Sequence, residues 1–478
     1  MNNIAEILFE RNINNSNKIA FRDPVEAITY GELEQRSRKL ATWMAMQGIV
    51  AGDRVSLVLV DKIDTVAVFL ATCLLGAVAV MDNPRGKKEN LLYKVNYVEP
   101  KLIFAEANLL TDLPTAVTTD TAIESIMDLD PWHGEITTKI NDMAFMLWTS
   151  GTTGHAKAVM HSHNSFLSNV KTNCASYPTL SEDRIYCTSK LFFAFGINYS
   201  LMTTMWMGAE AWLEPNVIVP SSVRENIKRF KPTKFYSVPF VYSQIVNDRV
   251  RVATNATCFA AGDRLPQVLI NKWQDMTGQK IYNMLGTTEV LNSILYNKNG
   301  TSSLGTATPG NAIRVINENG AVADVGEVGY LEVRAPSIAL GYYKDPEWSS
   351  RVFKDWVATG DVVYSDSEGN IHHMGRATDM IKIRGQYINP GELEETLQNY
   401  NGIDQVAVVS KADVNNVDML EAYVVLREQA QVTVNDLKRY MLSKHEKYMC
   451  PNNIHIVDHL PRTDTGKIQR YLLRQHSL

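Results

Sequence analysis

Apolar and polar positions along the chain alternate between two rhythms. Residues 33–47 (LEQRSRKLATWMAMQ) carry apolar side chains at helical spacing and run into Gly48, a helix stop. Residues 54–60 (RVSLVLV) form a continuous apolar run of strand length. The stretch 65–75 predicts a second, apolar helix ended by Gly76, and 77–81 (AVAVM) a strand closed by the turn Asp82-Asn83-Pro84. The same rhythm returns as a strand at 235–238, a helix at 267–276 and a strand at 281–284 that leads into Gly286. Such alternation predicts parallel sheets with helices on both faces.

Beyond Gly305 the rhythm shortens. Apolar runs at Ala312–Ile316, Gly329–Arg334 and 361–364, separated by Gly, Pro and Asp turns, predict a small antiparallel barrel or sheet. After Arg376, elements at 380–383, 391–398, 405–410, 421–426, 434–442 and 454–457 predict an α+β segment running to the end. The change of rhythm divides the chain into an N-terminal domain 1–375, a hinge 376–379 and a C-terminal domain 380–478.

Composition narrows the partners. In 478 residues, 45% hydrophobic content is enough for one large core and a smaller one, and 21% charged with 9% aromatic residues excludes wholesale disorder. A net charge of −5 offers no basic excess for nucleic acid or an anionic membrane surface. Cys73, Cys174, Cys187, Cys258 and Cys450 are widely spaced with no CxxC, so a reducing, cytoplasmic setting is expected rather than a disulfide scaffold. The opening MNNIAEILFE has no basic n-region, so no secretory signal is expected. The apolar stretch 66–81 is shorter than the ~20 residues a membrane-spanning helix needs.

One segment carries chemistry. In 146–160 (MLWTSGTTGHAKAVM) an apolar strand delivers Thr149, Ser150, Gly151, Thr152, Thr153 and Gly154, and Lys157 comes three residues later. Glycines let backbone N–H groups converge on an anion, hydroxyls add donors and a lysine supplies charge, the combination phosphate requires. The run is not GxxxxGK[ST], so it is not a Walker A loop. His161 with His163, and His372 with His373, lack a third ligand at metal spacing and read as packed or solvated.

TSGTTGxxK resembles the phosphate loop of the adenylate-forming superfamily of acyl-CoA synthetases, adenylation domains and luciferases. Further segments resemble that superfamily's motifs in its order: ITYGEL at 28–33, AAGDRLP at 260–266, NMLGTTE at 283–289, TGD at 359–361, the linker from Gly375-Arg376 to Glu392, and PRTDTGKIQR at 461–470. KLFFAFG at 190–196 is similar to a segment of the benzoate-CoA-ligase branch, as are Gly385-Gln386-Tyr387 and TGKIQR. The resemblance implies an α/β fold: a large N-terminal domain with two doubly wound sheets plus the small β-barrel, and a small α+β C-terminal domain.

It also implies an activity. A carboxylate attacks the α-phosphate of ATP, and the acyl-adenylate then passes to the thiol of coenzyme A. The acid is expected to be aromatic or short to medium in chain length. The alternatives are loading of a carrier-protein thiol and a homologue that binds acyl-AMP without turnover. Oligomeric state stays open, a homodimer included.

By resemblance, Ser150, Gly151, Thr152, Thr153, Gly154 and Lys157 hold the β- and γ-phosphates, Thr288 meets the α-phosphate, and Glu289 is a Mg2+ ligand. Gly262, Asp263, Asn283, Met284, Leu285, Gly286 and Thr287 surround the nucleotide, Asn283 reading the adenine edge through its amide. Asp361 would accept the ribose hydroxyls, with Arg376 beside it. Lys467 would bridge the substrate carboxylate and the α-phosphate as the bond forms. Ala194, Phe195, Gly196, Ser237, Val238, Gly286 and Asn292 would line the acid pocket. Thr378 and Asp379 form the hinge about which the C-terminal domain turns between the two steps, and Gly385 lets the thiol's arm pass. Departures from the superfamily pattern fall at Ala156, Ala158, Leu285, Asn292 and Thr378.

Overall fold

The helix Tyr30–Met46 begins where Thr29 and Glu32 cap each other: Thr29 Oγ1 accepts the Glu32 N–H at 3.2 Å, and the Glu32 carboxylate accepts the Thr29 N–H at 2.8 Å. Its buried stripe, with Leu33, Leu40 and Met44, packs in one cluster with the almost wholly buried helix Ile63–Leu74. In the computed structural model, residues 2–149, 156–248, 250–291, 293–378, 380–383, 386–412, 418–462 and 468–475 are described. The chain divides into two compact units, Met1–Ile313 with Val333–Val357, and Arg314–Glu332 with Ala358–Leu478.

Two large sheets build the first unit. One has the order Gly341–Tyr342, Lys157–Ser162, Met143–Thr149, Val78–Met81, Arg54–Val58, Leu102–Ala105; its last four strands are parallel and the pairings of the first two are antiparallel. The other has the order Thr306–Ala307, Ser293–Tyr296, Ile281–Gly286, Thr257–Ala260, Lys234–Ser237, Arg184–Cys187, Glu210–Trp212, Ile19–Arg22, Ala27–Thr29, and is parallel except at its edges.

Period-two alternation gives each sheet two buried faces. Leu57, Ala79 and Phe145 of the six-stranded sheet join the same apolar cluster as Ile185, Tyr236 and Phe259 of the nine-stranded sheet. Intervening residues face outward into separate clusters: Val78, Val80 and Met146 meet Val98 of the helix Lys88–Val98, while Tyr186, Phe235 and Cys258 meet Ile227, Tyr242 and Trp273 of three further helices. The expected pair of doubly wound sheets is therefore present, sharing one inner layer.

The four-stranded sheet Ala312–Ile316, Gly329–Arg334, Val357–Ser365, Ile371–Arg376 belongs mostly to the second unit. The small β-barrel expected from these strands is not formed. Among the described residues the first and last strands are unpaired edges of an open sheet. Short strands separated by turns encode pairing, but closure also demands a matched tilt and stagger that such a pattern does not specify. Beyond it lie the hairpin Ile381–Ile383 with Gln386–Ile388, and a sheet of Ile403–Ala412, Asp418–Leu426 and Asn453–Ile456. Leu393, Leu397, Val408, Val424 and Leu437 form its core against the helices Pro390–Gln398 and Val434–Lys444. No helix among the described residues is long and apolar enough to cross a membrane.

Phe145 lies in the shared layer, edge-on to Phe69 at 5.8 Å and stacked on His161 at 4.9 Å. Phe145→Ala is expected to lower unfolding stability by about 3–5 kcal/mol, read from urea midpoints at constant slope.

Candidate active site

The hydroxyl-rich segment is flanked by two paired strands. Strands Met143–Thr149 and Lys157–Ser162 pair antiparallel, with Thr149 opposite Lys157 and Trp148 opposite Ala158. Ser150, Gly151, Thr152, Thr153 and Gly154 lie outside the described residues. Lys157 anchors the hairpin's far side: its Nζ is 3.2 Å from Asp345 Oδ2 and 3.9 Å from the centroid of the Trp348 ring. Asp345 caps the helix Pro346–Val352 and accepts the Trp348 N–H at 3.0 Å; that bond, with Lys157, outweighs burial and holds its carboxyl below the usual range. Ala158, where the superfamily pattern has glycine, buries its methyl beside Val80, Met146 and Trp148.

Glu289 comes just after the strand Ile281–Gly286 and is oriented by two bonds. Its Oε1 accepts from Tyr342 Oη at 2.9 Å, and its carbonyl accepts the Ala339 N–H at 2.9 Å. Burial first, and then the Glu289 carboxylate, push the Tyr342 hydroxyl up, so it stays a donor. The Thr287 hydroxyl is buried without a partner. Asn283 is buried: its amide nitrogen donates to Ser302 O at 3.0 Å and Ser303 O at 3.3 Å, leaving Oδ1 without a partner. The amide function expected to read a base is thus reduced to its carbonyl oxygen, an acceptor for an exocyclic amine.

Met284 is buried, Leu285 is half-buried, and Gly286 is exposed opposite Ser293. Gly262 adopts φ 92°, with nothing nearer to an added Cβ than Val238 Cγ1 at 3.7 Å, so backbone conformation rather than space demands glycine there. The exposed Asp263 accepts the N–H of Arg264 at 2.8 Å.

The expected acid-pocket residues fall into two groups. Phe195 is half-buried, edge-on to Tyr199 at 5.3 Å and to Tyr236 at 6.1 Å; Tyr199, Tyr236 and Phe259 form a stack with spacings of 3.9 and 4.6 Å. Ala194 and Val238 are half-buried beside the apolar core. Ser237 is fully buried and bonded to Thr188 Oγ1 at 2.7 Å, and Gly196 is buried against the backbone of Lys190. Phe195 runs directly into the π-helix Ile197–Thr203, a wide-turned form that recurs at functional sites. Asn292 lies outside the described residues; its neighbour Leu291 takes φ 57°, strained for a side chain of that kind.

In the second unit Asp361 and Arg376 face each other across the ladder, Oδ1 to Nε 3.3 Å, and Arg376 Nη1 also donates to Thr359 O at 2.6 Å. His373 Nε2 adds a contact to the same Oδ1 at 3.1 Å. Burial pushes the Asp361 carboxyl up, but Arg376 and His373 outweigh it, and the group sits below the ordinary aspartate range. Its Oδ2 is buried and unpartnered, the atom that could take a ligand's hydroxyls. Thr378 O accepts from Arg474 at 3.4 Å. Asp379, Gly385 and Lys467 lie outside the described residues, and the segment carrying Lys467 is flanked by an antiparallel bridge between Arg462 and Ile468.

No cluster of three ligating side chains occurs among the described residues. Burial drives His161 down to about 3 and His163 to about 4, while His372 contacts Asp366 at 2.8 Å. Sequence reasoning missed Tyr342, Asp345, Trp348 and His373. The signal for the first three was the aromatic and acidic run GYYKDPEW.

An AMP-binding enzyme family description matches residues 8–343, and an AMP-binding enzyme C-terminal domain matches 392–467. The chain is 30% identical to a 3-hydroxybenzoate–CoA ligase of Aromatoleum sp. (strain CIB), over 94% of this chain and 91% of that one. It superposes with a TM-score of 0.91 on a benzoate CoA ligase from Burkholderia xenovorans LB400, at 26% identity, covering 99% of this chain and 100% of that one. The TM-score is 0.90 against an anthranilate CoA ligase in complex with anthranoyl-AMP, at 26% identity and 99% and 96% coverage.

The depressed Asp361 carboxyl contributes stability that is present above its unfolded value, about pH 4, and lost as pH falls through its lower folded value. Asp361→Asn is therefore expected to be less stable than the parent at pH 7, with the gap narrowing below about pH 4, measured by urea unfolding across pH.

Proposed function

Because the chain belongs to the AMP-binding enzyme family, we propose that it is an ATP-dependent aryl acid–CoA ligase. The acid's carboxylate oxygen attacks the α-phosphorus of ATP, forming an acyl-adenylate and releasing pyrophosphate. The thiolate of coenzyme A then attacks the acyl carbonyl, forming the thioester and expelling AMP. The full-length likeness to benzoate and anthranilate CoA ligases carries this reading.

The geometry supports separate roles. The N–H groups and hydroxyls of 150–154, with Lys157, take the β- and γ-phosphates, and Asp345 with Trp348 keeps the lysine stem in one place. Thr287 and Thr288 offer hydroxyls to the α-phosphate. Asp361 Oδ2 accepts the ribose hydroxyls while Oδ1 is committed to Arg376 and His373. A single oriented carboxylate, Glu289, fits Mg2+, which takes one or two protein oxygens beside substrate phosphates. Bound there, Mg2+ would neutralise phosphate charge. Lys467 supplies the positive charge between the two reacting anions. Residues 376–379 act as the hinge of a C-terminal domain 380–478 that turns between the steps, and Gly385 lines the thiol's route. Phe195 and the Tyr199 stack give an aromatic wall that favours an aryl acid. The location fits the cytoplasm.

Pyrophosphate release with ATP, Mg2+ and a panel of benzoate, hydroxybenzoates, anthranilate and short aliphatic acids tests the reading. Aryl acids are expected to lead, with thioester forming on coenzyme A; thioester on a carrier protein alone would reassign the acceptor. Lys467→Ala is expected to slow pyrophosphate release by about 10²–10³-fold while preformed acyl-adenylate still reacts with the thiol.

A further inference from the structure

Behind the aromatic segment lies a buried charged cluster that the proposed chemistry leaves unused. Asp61 is 3% exposed and comes after the strand Arg54–Val58 of the six-stranded sheet. Both its oxygens face the Leu191 N–H, at 3.1 and 3.3 Å. The adjacent Lys190 sends its Nζ to the carbonyls of Glu214 and Asn216, the latter at 2.7 Å. The buried Glu214 in turn accepts the Asn216 N–H at 2.9 Å and the Asn226 amide at 2.7 Å. Arg85, after the strand Val78–Met81, reaches Pro215 O at 2.8 Å. Four loops, two from each sheet, meet at this cluster, each just past the C-terminal end of a parallel strand, where ligands of such sheets bind.

Buried charges are costly unless each holds a partner, so such clusters persist where they fix geometry. Burial pushes the Asp61 carboxyl up to about 6, against the pull of Lys190, the Leu191 N–H and Arg85, with Glu214 adding to the rise. Burial likewise lowers Lys190, against Asp61 and Glu214. What the cluster grips is a rigid turn. Phe193 N–H donates to Lys190 O at 2.9 Å, and a Cβ on Gly196 would come within 2.0 Å of that same oxygen. Ile197 N–H then closes on Phe193 O at 3.0 Å, so the backbone on both sides of Phe195 is tied back to the Lys190–Leu191 anchor.

We propose that Asp61 and Lys190 are positioning residues of the acid pocket: through the Leu191 amide and the Glu214 and Asn216 carbonyls they hold the turn that presents Ala194 and Phe195 to the acid. This rests on the ligase reading given above for the same site.

Two measurements on the full chain test it. Hydrogen exchange across 190–196 is expected to accelerate at least about tenfold in Asp61→Ala, with 143–149 unchanged. With the best acid of the panel, Asp61→Ala is expected to raise KM for the acid about tenfold and leave KM for ATP within about twofold. Asp61→Asn retains an oxygen for the Leu191 N–H and is expected to recover most of that loss. Should Asp61→Ala fail to fold, Lys190→Met carries the same comparison. Unchanged exchange in the turn, or an acid KM equal to the parent's, overturns the proposal, as does an equal rise in both KM values. A parent enzyme inert toward every acid overturns the ligase reading instead, and hydrogen exchange still decides the anchor.

Discussion

Both large sheets bury one face in a single apolar layer, and that shared layer sets where everything else can be. Leu57 and Phe145 of one sheet, Phe69 of the helix Ile63–Leu74, and Ile185, Tyr236 and Phe259 of the other sheet belong to one apolar cluster. Interiors of this density transmit small displacements rather than absorbing them. The C-terminal edges of the two sets of strands are thereby held in one fixed relation. Loops leaving those edges, after Val58, Cys187 and Trp212, can then meet one another through charged side chains that would be too costly to bury in a looser frame.

A second theme is economy of anchoring. The segments that would touch phosphate or carboxylate are short connections whose ends are paired: Thr149 against Lys157, and Arg462 against Ile468. The charged side chains are handled in the same way. Lys157 is held by a carboxylate and an indole, Glu289 by a tyrosine hydroxyl, and Asp361 gives one oxygen to Arg376 and His373 while leaving the other without a partner.

Most of the framework was legible in residue order. The runs at 54–60, 77–81 and 281–284 correspond to strands Arg54–Val58, Val78–Met81 and Ile281–Gly286, because fully buried strands leave unbroken apolar runs. Strand Val357–Ser365 extends well beyond 361–364, since Thr359 and Gly360 enter it through backbone pairing that side chains do not advertise. Barrel closure was misread because turns encode neighbours and not curvature. The contact of His373 with Asp361 was invisible, as it arises from register across a ladder that carries a bulge between Val362 and Val363. The phosphate segment was readable from its glycines, hydroxyls and lysine, the other motif residues only through resemblance, and no periodicity singles out Asp61 or Lys190.

The π-helix just after Phe195 differs from an α-helix by the equivalent of one surplus residue. Removing a single position between Ile197 and Thr203 would restore ordinary winding and draw the upstream turn one residue closer to the helix Thr204–Met207 downstream, with little net rotation. Chain length, and not merely side-chain identity, thus sets how far Phe195 stands from that downstream helix.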